Sequence, residues 1–459
     1  MKNILEQIKQ KKGRLALLLS CFCLFGLMSC EEFLDAKPNQ SLVVPKTLAD
    51  VQSLLDNTNV FNGQATLPSI ASEEVWISDA GYAALSNPIE QAVFIWSDDP
   101  YPSGFSGDWN SLYEQVFYSN VALEVLEDFE GEQSEFYQTL LGSAYFYRGY
   151  AYLQLVSEFA MPYQKAGGNE SLLGIVLKST ADVNEELERA NLQESYDQID
   201  ADLTRAVELL PENNMPKTRP SKAIALGVLS RFYLSTFQYT LAAQSAREAL
   251  GIYTDRLDFN ELDVDARRPF TRFDEETLFY STLFSYSYLR STQVFVDSAL
   301  MDLYEEVDLR KPAFFDETSS GNFNYTGKLS GATQNFGGIS VGELYLNASE
   351  ALVRTGKDEV ALSMLNELIS LRHQSEAWMP LSELSSEELL ERILEERRKE
   401  LIGRGLRWMD LRRLNQEVEA ETLVRVVNGI RYELAPNSPR YAFPIPMDEI
   451  SRSGIVQNP

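Results

Sequence analysis

Two stretches of this chain carry the same spacing of small residues. After Pro220-Ser221, where Ser221 can cap a helix, Ala223, Leu226, Leu229 and Tyr233 recur at helical spacing as far as a turn near Phe237. The next segment places Tyr239, Ala242, Ala243, Ala246 and Leu250 on one face before Gly251. Residues 343–368 repeat the design with Leu344, Tyr345, Ala348 and Ala351, a break at Gly356, and then Ala361, Leu365 and Leu368. Alanine on the facing sides lets two antiparallel helices approach closely. A pair of that kind cannot bury its own faces and must stack on neighbours, so the chain is constrained to an array of helix pairs.

Other segments extend the array. Trp109, Leu112, Tyr113, Val116, Phe117 and Val121 follow a breaker at residues 104–107. Residues 140–156 form an apolar, aromatic helix that ends before Pro162, and Ile199, Leu203, Ala206, Val207 and Leu210 line another closed by Pro211. Ser385 with Glu388 reads as a capping box for a helix through Leu389, Ile393, Leu394 and Leu401, stopped by Gly403 and Gly405, with Trp408 and Leu411 starting another. The predicted fold is mainly α, a tetratricopeptide-type helix-pair scaffold with irregular ligand-binding loops. Helical repeats fall mainly in 105–254 and 341–414, and the loop-rich part in 57–102, 255–338 and 415–459. Binding residues concentrate on loops held by a rigid frame.

The start of the chain sets the compartment. Lys2, Lys9, Lys11, Lys12 and Arg14 precede an apolar run from Leu15 to Leu27, and small residues lead to Cys30. Residues 1–29 read as a lipoprotein signal peptide, Cys30 as the acylated residue, 30–45 as a lipid-anchored spacer and 46–459 as a single body. The whole chain has a formal charge of −28; removing residues 1–29 takes away five basic side chains and Glu6, which leaves −32. Such a surface offers no counterion-release gain to nucleic acid and excludes it as a partner. Cys21, Cys23 and Cys30 are the only three cysteines and His373 the only histidine, so no disulfide, multi-histidine zinc site or cysteine–histidine dyad can be built in the body. No cofactor or metal is assigned, since Asp263 and Asp265 lack the rest of a calcium loop.

From Cys30 to Pro459 the chain resembles the SusD/RagB family of outer-membrane nutrient-binding lipoproteins. The motifs that carry the resemblance are Cys30-Glu31-Glu32-Phe33-Leu34-Asp35 at the start, then Trp109, Tyr113 and Asn120, then Arg148 on the aromatic helix, then Tyr196, Ile199, Asp202 and Leu203. The most specific match is Glu396-Arg397, Glu400-Leu401, Gly405, Arg407, Asp410-Leu411 and Arg413, with Phe443-Pro444-Ile445-Pro446 and Gln457-Asn458-Pro459 closing the chain. Arg404 departs from the acidic residue usual before Gly405, which puts one local ion pair in doubt. The resemblance implies a non-enzymatic protein, lipid-anchored and facing the exterior of the outer membrane. It would capture glycan fragments, or in some branches peptides, and hand them to a TonB-dependent SusC-like barrel transporter.

A sugar needs an aromatic face for its C–H groups and fixed donors and acceptors for its hydroxyls. Two aromatic, charged clusters offer both. One joins Glu73, Glu74, Trp76, Asp79 and Tyr82 with Trp96, Asp98, Asp99 and Tyr101; the other holds Tyr280, Phe284, Tyr286, Tyr288 and Arg290. The candidate ligand residues are Trp76, Asp79, Tyr82, Trp96, Asp98, Tyr101, Tyr286, Tyr288 and Arg290, expected to form one aromatic platform. Trp109, Tyr113, Arg148, Trp408 and a Glu400/Arg407 pair are assigned to structure. The string Gly338-Ile339-Ser340-Val341-Gly342, with Asp358 and His373 downstream, imitates a hydrolase elbow, but no strand is expected before it. A secreted glycosidase is the alternative from a different class, and a lid without ligand affinity is a third.

Overall fold

Most of the long helices start where a side chain can satisfy a free amide of the first turn. The computed structural model describes residues 45–264, 266–417 and 420–459, so the expected signal peptide, Cys30, most of the expected spacer and Asp265 lie outside them. Helix α1 (Leu48–Leu55) opens on a Thr47–Asp50 capping box, and α2 (Pro88–Phe94) on Asn87. Then come α3 (Gly107–Glu127), capped by Ser106, and α4 (Glu135–Phe159), capped by Ser134. An Asn191–Glu194 capping box opens α5 (Leu192–Leu209), and Ser221 caps α6 (Lys222–Ser235) as the sequence predicts. The array continues with α7 (Tyr239–Ile252), α8 (Val341–Val353), α9 (Asp358–Ser370), α10 (Ser386–Glu400) on its Ser385–Glu388 capping box, and α11 (Arg407–Leu414).

Helices α3 to α9 pack in chain order, each against the next, and α10 packs on α8. The contact of α7 with α8 holds although residues 253–340 intervene, so the long segment is an insertion that leaves the stack continuous. Close approach of α4 and α5 depends on two glycines: a Cβ at Gly149 would lie 3.0 Å from Asp202 Cβ, and one at Gly142 would lie 2.9 Å from Leu209 Cβ. The alanines Ala242, Ala246 and Ala249 of α7 are fully buried, as their spacing requires.

The insertion has a small core of its own, including Phe259, Phe270, Tyr280, Phe314 and Phe336. Buried charges fasten it to the scaffold. Arg310 lies 2.5 Å from Glu396 and 3.0 Å from Glu400 on α10, and 2.7 Å from Asp308. Arg372 bridges Glu276 and Glu400, at 2.8 and 2.9 Å. Removing one partner of such a network strands a charge in the interior, so it fixes one arrangement of insertion on frame. The expected Glu400/Arg407 pair is therefore corrected: Glu400 is held by Arg310 of the insertion and by Arg372 just after α9, and Arg407 pairs with Glu73 at 2.5 Å. Arg404 pairs with Glu343 at 2.8 Å and donates to Ser340 Oγ and Gly338 O, so the departure from the family pattern has its own acceptors.

The region 57–102, expected to be irregular, contains short helices at Thr58–Phe61, Leu67–Ala71 and Asp79–Ala84 besides α2. One or two turns are too short to show a period. Three of the six two-stranded sheets among the described residues border the clefts discussed below. Strand β1 (Val75–Ile77) pairs antiparallel with β2 (Val294–Val296), β3 (Phe315–Glu317) with β4 (Phe323–Tyr325), and β5 (Leu423–Val427) with β6 (Ile430–Leu434). Among the described residues no helix is long and apolar enough to cross a membrane.

Candidate functional site

The predicted ligand residues separate into three places. Trp76 stands opposite Phe295 across the β1–β2 ribbon, with ring centroids 4.9 Å apart, and is 38% exposed. Nearby in sequence, Asp79 accepts from the Asn428 amide in the β5–β6 turn, and Tyr82 donates to Gln91 O while packing on Phe94. These three remain at the surface or half-buried.

Trp96, Asp98 and Tyr101 line a second place, a cleft of about 830 Å³ whose other wall includes Trp408, Arg440, Phe443 and Asn458. Asp98 is exposed and pairs with Arg440 at 2.8 Å. The two rings are corrected from platform to wall. Trp96 is 5% exposed, donates Nε1–H to Ala71 O and lies beneath the Arg425 guanidinium, while Tyr101 is 3% exposed.

Tyr286 and Tyr288 are corrected outright. Tyr288 is fully buried against Phe94, and Tyr286 donates its hydroxyl to Asp108 Oδ1 at 3.0 Å. Glu90 on α2 accepts from the Ser287 amide at 2.7 Å and from its hydroxyl, which pins the segment inward. Rings held this way pack the loop onto the frame and offer no face to a ligand. A single aromatic platform is therefore not assembled.

Arg290 alone of the second cluster reaches a third place, a cleft of about 420 Å³ built from three separate excursions. Ribbon β1–β2 and its approach supply Val75, Leu289, Thr292 and Val294; strand β4 and the turn after it supply Asn324, Tyr325, Lys328 and Asn335; Ile402 and Gly403 close the base beyond α10. Arg267, Arg268 and Asp316, all exposed, also line it. Asn324 donates its amide to Val294 O at 2.7 Å and locks β4 onto β2. Asn335 donates to Gly403 O at 2.8 Å, which leaves its buried carbonyl oxygen without a partner. The volume lies within the range of ligand sites, about 300–1,000 Å³.

Charge in this cleft is set by burial. Glu74 is buried on its wall, and burial, reinforced by the charge of Glu73, pushes its carboxyl up to about 8. Burial works against the charge of Glu73 as well, but the Arg407 guanidinium outweighs it and holds that carboxyl below its ordinary value. Lys328 donates to Leu289 O and Thr333 O, and burial, with a smaller push from Arg290, takes its ammonium down to about 8. Near neutral pH the cleft therefore holds a neutral Glu74 and cationic Lys328 and Arg290. Sequence reasoning missed Arg267, Arg268, Lys328 and Asn335. The adjacent arginines were the one available signal, in a chain with 40 basic and 68 acidic residues.

The hydrolase-like string does not assemble. Ile339–Ser340 does form a short bridge with Thr277–Phe279, contrary to the expectation of no strand. Ser340 instead caps α8 and accepts from Arg404, His373 Nε2 lies 3.6 Å from Asp308, and Asp358 accepts from Ser386.

Comparison with known proteins places this architecture. Residues 32–234 match a SusD-like family model described as starch-binding and associating with the outer membrane, and residues 314–459 match the SusD family model. The chain belongs to the SusD/RagB family. Its fold is shared with a putative sugar binding protein from Bacteroides vulgatus, 21% identical, with a TM-score of 0.72 over 91% of this chain and 99% of that one. A SusD superfamily protein from Bacteroides thetaiotaomicron is 20% identical with a TM-score of 0.72 over 90% of this chain and all of that one. Surface glycan-binding protein A from Bacteroides fluxus is 19% identical, with a TM-score of 0.67 over 90% of this chain and 100% of that one. No curated protein matches the chain.

Proposed function

We propose that this SusD-family protein captures glycan fragments outside the outer membrane, tethered through lipid on Cys30, and passes them to a TonB-dependent SusC-like barrel without catalysing a reaction. The observation that carries the reading is the 420 Å³ cleft, where an apolar wall of Val75, Leu289 and Val294 meets threonine, asparagine and cationic groups on loops clamped to a rigid frame. An apolar wall suits the C–H face of a pyranose, and the surrounding polar groups suit its hydroxyls. Family membership and the sugar- and glycan-binding names of two structural neighbours support the same reading.

The test is calorimetric titration of the purified protein with a panel of oligosaccharides and peptides, alongside an assay for new reducing ends. Saturable binding of a glycan with no turnover is the expected result. Affinity for peptides alone, or repeated turnover of a glycan, would overturn it.

A further inference from the structure

Most buried cations in this protein face a carboxylate; among the described residues Arg412 and Arg425 do not, and backbone carbonyls receive them instead. Arg231, Arg310, Arg372, Arg413 and Lys399 each lie within 3.1 Å of a carboxylate. A charge removed from water without a counter-ion is costly, and the chain has acids to spare, 68 against 40 basic residues. The 420 Å³ cleft gathers another cation without a carboxylate, Lys328, together with the exposed Arg267, Arg268 and Arg290. Lys328 is half-buried, and its ammonium meets only two backbone carbonyls, Leu289 O at 3.2 Å and Thr333 O at 3.0 Å. Among the described residues neither it nor Arg267, Arg268 or Arg290, which share the cleft, has a carboxylate at ion-pair distance. Arg290 is close enough to Lys328 to disfavour its charge.

Two acids also face the cleft and neither cancels the excess. Asp316 is exposed on β3, and Glu74 is kept protonated by burial near neutral pH. A wall drawn at random from this chain would carry more acids than bases; this one carries four cations against one ionised carboxylate. The interior is polar beyond the cations, with Thr292, Thr326, Thr333 and the unpartnered Asn335 oxygen around the same space.

We propose that the cleft takes an acidic saccharide, with a carboxylate or sulfate ester of the sugar seated between Lys328 and Arg290 and the ring hydroxyls meeting the threonines. This rests on the glycan reading of the cleft and narrows it. The overall negative charge of the protein repels extended polyanions, so short acidic fragments are favoured over long chains.

The experiment titrates the purified full chain with trigalacturonate, a sulfated carrageenan tetrasaccharide, uncharged maltotriose and tetraglutamate. The expected result is an acidic saccharide bound about ten- to hundredfold more tightly than maltotriose, the gain of one or two charge-assisted hydrogen bonds. The two acidic arms tell carboxylate from sulfate. In Arg290→Gln, whose parent side chain is exposed and supports no buried contact, the ratio of acidic to neutral affinity should fall toward one; Lys328→Gln, checked by its thermal midpoint, should do the same. Uncharged sugar bound as tightly as acidic sugar would overturn the inference and leave the glycan reading standing. Tetraglutamate bound in preference to every saccharide, or no saccharide bound at all, would overturn both.

Discussion

Glu74 shows how a single side chain couples the cleft to stability. Its carboxyl is walled in beside Glu73, accepts from the Gly403 amide at 3.4 Å, and titrates near 8 because burial disfavours its charge. The folded protein therefore holds a proton that the unfolded chain releases near pH 4.5, so this group's contribution is complete below that value and is lost as pH rises toward 8. Asp108 and Asp274, raised mainly by burial to about 6 and about 7, act in the same direction. Urea midpoints measured from pH 5 to pH 8 should fall steadily. Glu74→Gln, which keeps an acceptor for Gly403 and cannot ionise, should flatten that slope without abolishing it. An unchanged slope in the variant would show that Glu74 is ionised in the folded state.

Among the elements, α7 is where the opening sequence argument can be broken by adding atoms. Ala242 is fully buried where α7 meets its neighbours α6 and α8. Ala242→Leu forces three extra carbons into that space, and overpacking of this kind costs about 1–3 kcal/mol, readable as a lower urea midpoint at unchanged slope. Helices of this length were legible in the sequence because Ala, Leu and Tyr repeat over several turns and Ser221 and Ser385 mark their starts. The β5–β6 hairpin was legible too and was absorbed into an undivided loop region. Asn428-Gly429, both at positive φ, between alternating apolar residues is the expected turn. The aromatic sites were not legible in the same way. Tyr286 and Tyr288 alternate with serine, a pattern that fits a binding strand or a pinned core segment equally well; Asp108 and Glu90, distant in sequence, decide for the core. The cleft at Lys328 depends on loops from residues 69–75, 267–268, 289–294 and 316–335 meeting in space, and no local pattern reports such a meeting.

At the scale of the whole molecule, the proposed membrane attachment lies in the leader. No described helix can span a bilayer, and the body carries a large negative charge, which anionic lipid heads repel. In the proposed function, residence at the outer membrane rests on acylation at Cys30, after a basic and apolar leader of the lipoprotein kind. A second route would be capture by the barrel partner. Cys30→Ser separates the two, because the substitution removes the acceptor sulfur and leaves the sequence of residues 45–459 unchanged. Expressed in a host that processes lipoproteins, the parent should sediment with outer membranes and incorporate labelled palmitate, whereas the variant should lose the label and move to the soluble fraction. One acyl chain holds a protein only marginally and several hold it firmly, so the release should be nearly complete. If the unlabelled variant still sediments, and does so only where the barrel is present, the partner surface rather than the lipid would be the attachment.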